Sequence, residues 1–379
     1  MIQQKSLLFF IILTCLILLL PNTIFAQEET MLEDEAMQVE EQIFEAEVLD
    51  VLSEKEITRE NGTTGLQQNV QLKGLTKNVK DKEMTYFGIS DLEVVSAVTV
   101  EKGDKVIVSY SKDIDGNEKY FIQDHVRRAG LFWLALIFCV LIIAIGKWKG
   151  IKALISLAVT FFIIMKWIVP KIMTGSNPLL ISLIGAVVIL AVIVYLTWGW
   201  KNKSHLAMLS IFISLIVTGL ISIVFTKLTK LSGLAQDDVV YLIGINGVNI
   251  NFEGLLLAGI IIGTLGVLDD VVISQISTVE QIKEANPNLS KKELFKRGLR
   301  VGVDHISSMT NTLFLAYAGA ALPLLMLFNL NMEPFISFSQ VINNEVIAVE
   351  IVRTLTGSIG LILAMPCATI LAARYLKIR

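Results

Sequence analysis

Two adjacent carboxylates inside an apolar run are the residues of this sequence best placed to do chemistry. Asp269 and Asp270 stand about two-thirds of the way along residues 254–273, a stretch otherwise apolar and long enough to cross a bilayer. An ionised side chain within a span costs about 2.5–3.5 kcal/mol on insertion scales, so a pair requires compensation or a role, and exchange of a proton or cation is the role a carboxylate fills there. Helical neighbours are about 100° apart, so one acid is expected to face the bundle and the other the membrane boundary. The competing reading ends the span near Leu268 and leaves both acids in water. Against it, Val271, Val272, Ile273 and Ile276 keep the run apolar beyond them.

The next apolar run begins Asp304-His305-Ile306-Ser307-Ser308-Met309-Thr310-Asn311-Thr312. Positions 304, 308 and 311 share a helical stripe, and 307 and 311 are neighbours. Because one loop joins the two runs, Asp269 or Asp270 should lie at the depth of Ser308, Asn311 and Thr312, where hydroxyls and an amide facing a carboxylate form a proton or ion relay. The same groups also read as hydrogen-bonding glue between helices. Asp304, His305 and Tyr317 are accessory candidates. Gly259, Gly263 and Gly266 form a small-residue stripe whose expected use is helix packing. Glu350 and Arg353, three apart in the last run, are expected to pair with each other. Three scattered histidines, and cysteines 15, 139 and 367 inside apolar runs, give no metal site and no disulfide. Neither a G-x-x-x-x-G-K-[ST] loop nor a G-x-G-x-x-G turn occurs, so no nucleotide cofactor, ATP-driven pump or other enzyme is expected, and no cofactor of any kind. An intramembrane aspartyl protease would carry its two aspartates on facing helices rather than side by side.

The elements that must position these groups follow from composition. The chain has 379 residues, of which 54% are hydrophobic and only 18% charged. Residues 27–127 hold 23 acids and 11 bases, whereas residues 128–379 hold 12 acids and 20 bases. An acidic, water-exposed part is thus followed by a membrane part with a basic face. The bases are spread between apolar runs rather than gathered in a patch with interleaved aromatics, so nucleic-acid binding is not indicated. Residues 1–26 read as a signal peptide, cleaved after Ala26 or kept as a first span, and 27–43 as an acidic linker. Within 44–127, alternating segments at 44–52, 70–73, 84–87, 105–110 and 119–122, separated by turns such as Asn61-Gly62, predict an all-β domain, a small antiparallel barrel or sandwich. Asn61-Gly62-Thr63 matches a glycosylation acceptor but reads better as an ordinary turn.

Residues 128–379 then predict an α-helical multi-pass membrane domain of about seven spans: 130–146, 151–169, 179–198, 206–226, 254–273, 306–328 and 347–373. With the β domain outside, 14 of the 20 bases after residue 127 fall on the cytoplasmic side, together with the C-terminus, as the positive-inside rule requires. The loop 227–253 carries Asp237, Asp238 and an Asn246-Gly247-Val248-Asn249 turn. The cytoplasmic segment 274–304 is amphipathic. Its first helix should continue to about Ala285 and stop at Asn286-Pro287-Asn288, and a capping box, Ser290 to Glu293, should start a second helix lying along the membrane surface.

Gly263-Thr264-Leu265-Gly266-Val267-Leu268-Asp269-Asp270, Gly302-Val303-Asp304-His305-Ile306, Asn311-Thr312-Leu313, and Ala316-Tyr317-Ala318-Gly319 with Leu322-Pro323 together resemble the signature of the YibE/F family of bacterial multi-pass membrane proteins. The resemblance covers residues 128–375 and is strongest from Gly263 to Pro323. It implies a bacterial cytoplasmic membrane location and a multi-pass fold, with no settled activity to carry over. A weaker likeness, in the order of features, is to the membrane half of the SecD/SecF and resistance-nodulation-division transporters. This chain lacks their large domain between later spans and their internal repeat, so that analogy is one of fold alone.

The expected function is an ion-gradient-coupled transporter or translocation-assisting permease, with Asp269 or Asp270 exchanging the ion and Ser308, Asn311 and Thr312 lining its path. The alternative is a non-catalytic scaffold or sensor whose β domain binds an envelope partner. Expected partners are the lipid bilayer, a second related membrane subunit or another copy of the chain, and a small molecule, ion or envelope component.

Overall fold

The computed structural model describes residues 42–58, 64–76, 79–89, 98–112, 116–235, 237–243, 250–327 and 336–376. The signal segment, the linker as far as residue 41, the Asn61-Gly62-Thr63 tripeptide and the Asn246-Gly247-Val248-Asn249 turn lie outside them. The described chain divides into two compact units, one ending at Ile142 and the other beginning at Ile143.

The first unit is built on five strands: β1 (Gln42–Thr58), β2 (Thr64–Gly74), β3 (Glu83–Phe87), β4 (Lys105–Lys112) and β5 (Glu118–His125). They form one antiparallel sheet in the order β3-β2-β1-β4-β5. β1 pairs with β4 through its first residues and with β2 from Ala46 onward, and register shifts after Val48 and Val51 let one strand serve both neighbours. Period-two alternation turns Phe44, Ala46, Val48, Val70, Leu72, Val106 and Val108 onto one buried face. Gln68 takes a strand's place beside the 98–100 segment: its Nε2 donates to Val100 O at 3.0 Å and its Oε1 accepts from Val100 N at 2.8 Å. The sheet curls until β3 approaches β5. There Lys82 Nζ reaches the Glu118 carboxylate at 3.0 Å and the Tyr120 hydroxyl at 3.2 Å, giving a partly open barrel. The Tyr120 hydroxyl and Lys82 together hold the Glu118 carboxyl below the usual carboxylate range.

The helical part begins with α1 (Arg128–Ile163), broken at Lys147, where φ is 48° and ψ is −127°. It runs into a π-helical turn, Ile164–Ile168, and then α2 (Val169–Met173). Pro170 has no N–H to give and its ring crowds the preceding turn, which favours the wider turn just before it. α3 (Pro178–Trp198) starts where the Asn177 side chain accepts from Leu180 N at 3.1 Å and ends at Gly199, whose φ of 75° suits a residue without Cβ. α4 (Asn202–Leu228), α5 (Asp237–Ile243), α6 (Phe252–Ala285), α7 (Lys291–Ala320), α8 (Leu322–Leu327), α9 (Phe338–Asn343) and α10 (Glu345–Tyr375) follow. α10 packs against α4, α6 and α7. Its Ala364, Ala368 and Ala372, at four-residue steps, are fully buried, as small residues allow in close-packed membrane helices.

The expected span count is met in part, and the amphipathic segment takes a different form. Among the described residues, five helical tracts are long and apolar enough to cross a membrane: Arg128–Met173, α3, α4, α6 and α10. The predicted runs 130–146 and 151–169 lie within the first of these as one 46-residue tract. The predicted run 306–328 lies in α7 and α8, and α7 is polar over its first half and stops at Ala320, just before Pro323. The amphipathic segment is likewise not a separate surface helix. α7 starts at the Ser290 cap, which accepts from Glu293 N at 3.2 Å, and runs unbroken through Arg300 and Asp304 into Asn311. Nothing between Arg300 and Ile306 interrupts helical hydrogen bonding. Gly302, the one weak helix former there, is buried where a Cβ would crowd Met365 and Gln275. Leu294, near the start of α7, joins the main hydrophobic core at 1% exposure.

Candidate functional site

Asp269 sits on α6, the longest buried apolar helix of the unit, opened by Asn251, whose side chain accepts from Gly254 N at 2.8 Å. Asp269 is half-buried and Asp270 exposed, so the two acids face different surroundings, as a 100° step dictates. The Oδ1 atom of Asp269 is buried and has no hydrogen-bond partner among the described residues. A buried carboxylate oxygen without a donor is costly, so this atom marks a place where something else is required.

The stripe of α6 that carries Asp269 is set apart by what lies along it. Toward the start of the helix, Leu255, Gly259 and Ile262 line a cavity of about 280 Å³ shared with Ile168, Ser182 and Arg353. Toward its end, Ile273, Ile276 and Ser277 line a crevice of about 10 Å³ with Val194 and Lys203. Gly266 and Asp269 fall between these two groups at three- and four-residue steps. Each end carries a half-buried ion pair: Arg353 to Glu350 at 2.8 Å, and Lys203 to Glu280 at 2.7 Å. What a half-buried carboxylate on this seam can do chemically is take up or release a proton or small cation, and a charge pair stands toward each end.

The expected partners on α7 are at the expected depth but turned away. Gly298 and Gly302 of α7 lie against Gln275 of α6, and Ile306 and Met309 pack on the buried cluster of Val271, Leu361 and Met365. This antiparallel register sets Asp269 and Asp270 level with residues 306–308. Yet Asp304, Ser308, Asn311 and Thr312 are all exposed, opposite the buried face marked by Gly298, Gly302 and Leu313. Thr312 returns its hydroxyl to Ser308 O at 3.1 Å. The single chain therefore does not assemble Asp269 with Ser308, Asn311 and Thr312. His305 is half-buried, with Nε2 buried and unpartnered among the described residues. Tyr317 is half-buried, its hydroxyl beside the backbone of Gly263, where a Cβ would lie 3.2 Å away.

Gly259 and Gly266 have a setting different from the close packing expected of them: a Cβ at either would meet no atom within 4 Å. The tight helix contacts are made elsewhere, at Gly298, Gly302 and Gly360. A Cβ at Gly360 would overlap the Thr218 hydroxyl of α4.

Two polar features escaped sequence reasoning. Gln275, 2% exposed, ties three helices together by donating to Gly298 O at 2.9 Å and Thr369 Oγ1 at 2.7 Å. On α4, Ser210, Ser214, Thr218 and Ser222 form a buried ladder in which each hydroxyl donates to the carbonyl four residues back, at 2.7–2.8 Å. The ladder's four-residue repeat was visible in the sequence; the reach of Gln275 was not, because its partners are 23 and 94 residues away.

A family model described as YibE/F-like protein matches residues 134–378. No curated protein and no solved structure matches the chain.

Proposed function

This chain belongs to the YibE/F-like family, and from that premise we propose that it is an ion-gradient-coupled transporter or translocation-assisting permease of the bacterial cytoplasmic membrane, with Asp269 as the exchanging carboxylate. The observation that carries the reading is the buried, unpartnered Oδ1 of Asp269 on the α6 stripe between two cavities. A gradient-coupled carrier needs such a group, one that can hold an ion away from bulk water and release it to either side. In this reading the signal segment is removed, the β unit lies outside, and the chain crosses about seven times to a cytoplasmic C-terminus, with the bases distributed accordingly. Ser308, Asn311 and Thr312 then line a second wall of the path, completed by another copy or a related subunit, which accounts for a polar helix face turned out of the single chain.

The test is proton flux into vesicles carrying the reconstituted protein under an imposed pH gradient, with cysteine labelling at 269 and 270. Asp269→Asn should lower the flux tenfold or more and Asp270→Asn much less, with position 269 the harder to label from either side. Wild-type flux in Asp269→Asn overturns the proposal.

The alternative, a scaffold or sensor reading an envelope partner through the β unit, draws on Ile43, Phe87 and Phe121, large apolar side chains left 62%, 76% and 47% exposed on the sheet. It requires Phe87→Asp to abolish function while Asp269→Asn leaves it intact.

A further inference from the structure

The cavity at the start of α6 has a chemistry that the proton path does not use. Its walls are apolar, including Ile168 from the π-helical turn, Ile172, Leu255 and Val349, and Gly259 leaves it open, since a Cβ there would touch nothing within 4 Å. Two polar groups break the apolar lining. Ser182 is completely buried, and its hydroxyl has no hydrogen-bond partner among the described residues, unlike the four ladder residues of α4 that return theirs to their own helix. Arg353 gives Nη1 to Glu350 at 2.8 Å, but its Nε is buried and likewise unpartnered. Arg353 Nε can only donate and the Ser182 hydroxyl can donate as well as accept, while Glu350 already occupies the Nη1 end of the guanidinium. A molecule completing this site must bring an acceptor, and a carboxylate brings two oxygens that accept charge-assisted hydrogen bonds. The volume of about 280 Å³ is nearly twice that of a cavity known to hold benzene, enough for about ten to twelve non-hydrogen atoms.

We propose that this cavity binds a single-chain amphiphilic monocarboxylate of medium length, its head accepting from Arg353 Nε and Ser182 Oγ and its chain lying against the α6 surface opened by Gly259. The cavity is the one at the start of the α6 seam that carries Asp269, but its test reads binding rather than flux, so either proposal can fail without the other.

Full-length protein in a maltoside detergent is titrated with decanoate, decanol, decyltrimethylammonium and phosphatidylglycerol while its thermal midpoint is followed, because a ligand of the folded state stabilises it by RT ln(1 + [L]/Kd) and so raises that midpoint progressively. Decanoate alone should do so. Gly259→Leu, whose Cβ enters open space, should raise the apparent Kd drawn from that dependence at least tenfold. Ser182→Ala, which removes the hydroxyl and little volume, should raise it several-fold, and Arg353→Gln should abolish the preference for decanoate over decanol. An equal response to decanol or the ammonium compound would reduce the effect to partition of an apolar chain, and a response to phosphatidylglycerol alone would assign the cavity to membrane lipid. Either result overturns the proposal, as does an unaltered decanoate response in Gly259→Leu or no response in the wild type.

Discussion

On α4, Ser210, Ser214, Thr218 and Ser222 point into the bundle and are buried at 0–2% exposure; on α7, Asp304, Ser308 and Asn311, at the same kind of spacing, point out of it. The difference lies in what each side chain can satisfy alone. A hydroxyl can return its one donor to the carbonyl four residues back, and all four ladder residues do so, leaving a small, closed surface on which α10 settles until Gly360 meets Thr218. A carboxylate or a carboxamide has more donors and acceptors than its own helix can take up. Among the described residues, the side chains of Asp304, Ser308 and Asn311 make no hydrogen bond, whereas Ser307 and Thr312 beside them do fold back, at 3.0 and 3.1 Å. The ladder thus serves packing, whereas the carboxylate of Asp304 and the amide of Asn311 call for a neighbour that their own helix does not supply.

The contrast breaks most readily at its tightest contact. Gly360→Val should separate α4 from α10 and cost about 3 kcal/mol, seen as a fall in the thermal midpoint or as loss of the monodisperse peak on size-exclusion chromatography. A variant of wild-type stability would mean that the ladder does not set the helix approach. Gln275→Leu should cost about 1–3 kcal/mol, since it removes the link from α6 to α7 and α10. Adding Thr369→Val to it should then cost less than the sum of the two single changes, because both act on one hydrogen bond.

Smaller effects sharpen the comparison. Ser214→Ala, which removes a bond that its own helix supplied, should change stability by no more than about 0.5 kcal/mol. Asn311→Leu should be just as mild on thermal stability but should alter the oligomeric state by light scattering or lower the proton flux. Should the two variants behave alike in every assay, the open face of α7 has no use that the closed ladder lacks. The smallest effect belongs to the β unit, where Tyr120 and Lys82 lower the carboxyl of Glu118. A carboxyl lowered on folding adds stability that is present above its unfolded titration range and lost as the pH falls through the folded one, on the acid side of the usual glutamate range. Glu118→Gln should therefore flatten the acid limb of the unfolding curve while leaving stability near pH 7 only slightly reduced, since the group is exposed.

Much of the framework was legible residue by residue. Alternation located all five strands, because one face of each must be apolar, although β1 reaches Thr58 rather than Leu52 as its bulges let it serve two neighbours. Asn286-Pro287-Asn288 ended α6 at Ala285, and Ser290 began α7. The break at Lys147 was hidden, since a lysine gives no sign of adopting a positive φ. So was the continuity of α7, where a change from amphipathic to apolar composition resembled a boundary although the backbone never stops. At the candidate site, the two aspartates and the polar start of the next run were legible as anomalies, and the four-residue repeat of the ladder was there to be read, whereas its inward direction, the reach of Gln275 and the donors of the α6 cavity were not.

By itself the sequence determined what local rules decide: where apolar length requires a membrane, where alternation requires a sheet, where a helix can be capped, and that a carboxylate among apolar residues is out of place. Tertiary structure alone decided which face of each helix is inside. In water an amphipathic pattern orients a helix, but α3, α4 and α6 are apolar around most of their circumference, so hydrophobicity does not distinguish a face toward lipid from one toward protein. Orientation is then set by close packing at Gly298, Gly302 and Gly360 and by hydrogen bonds such as those of Gln275, whose partners lie on other helices. Those contacts left Asp269 half-buried on the cavity side of α6 and turned Ser308 and Asn311 away from it.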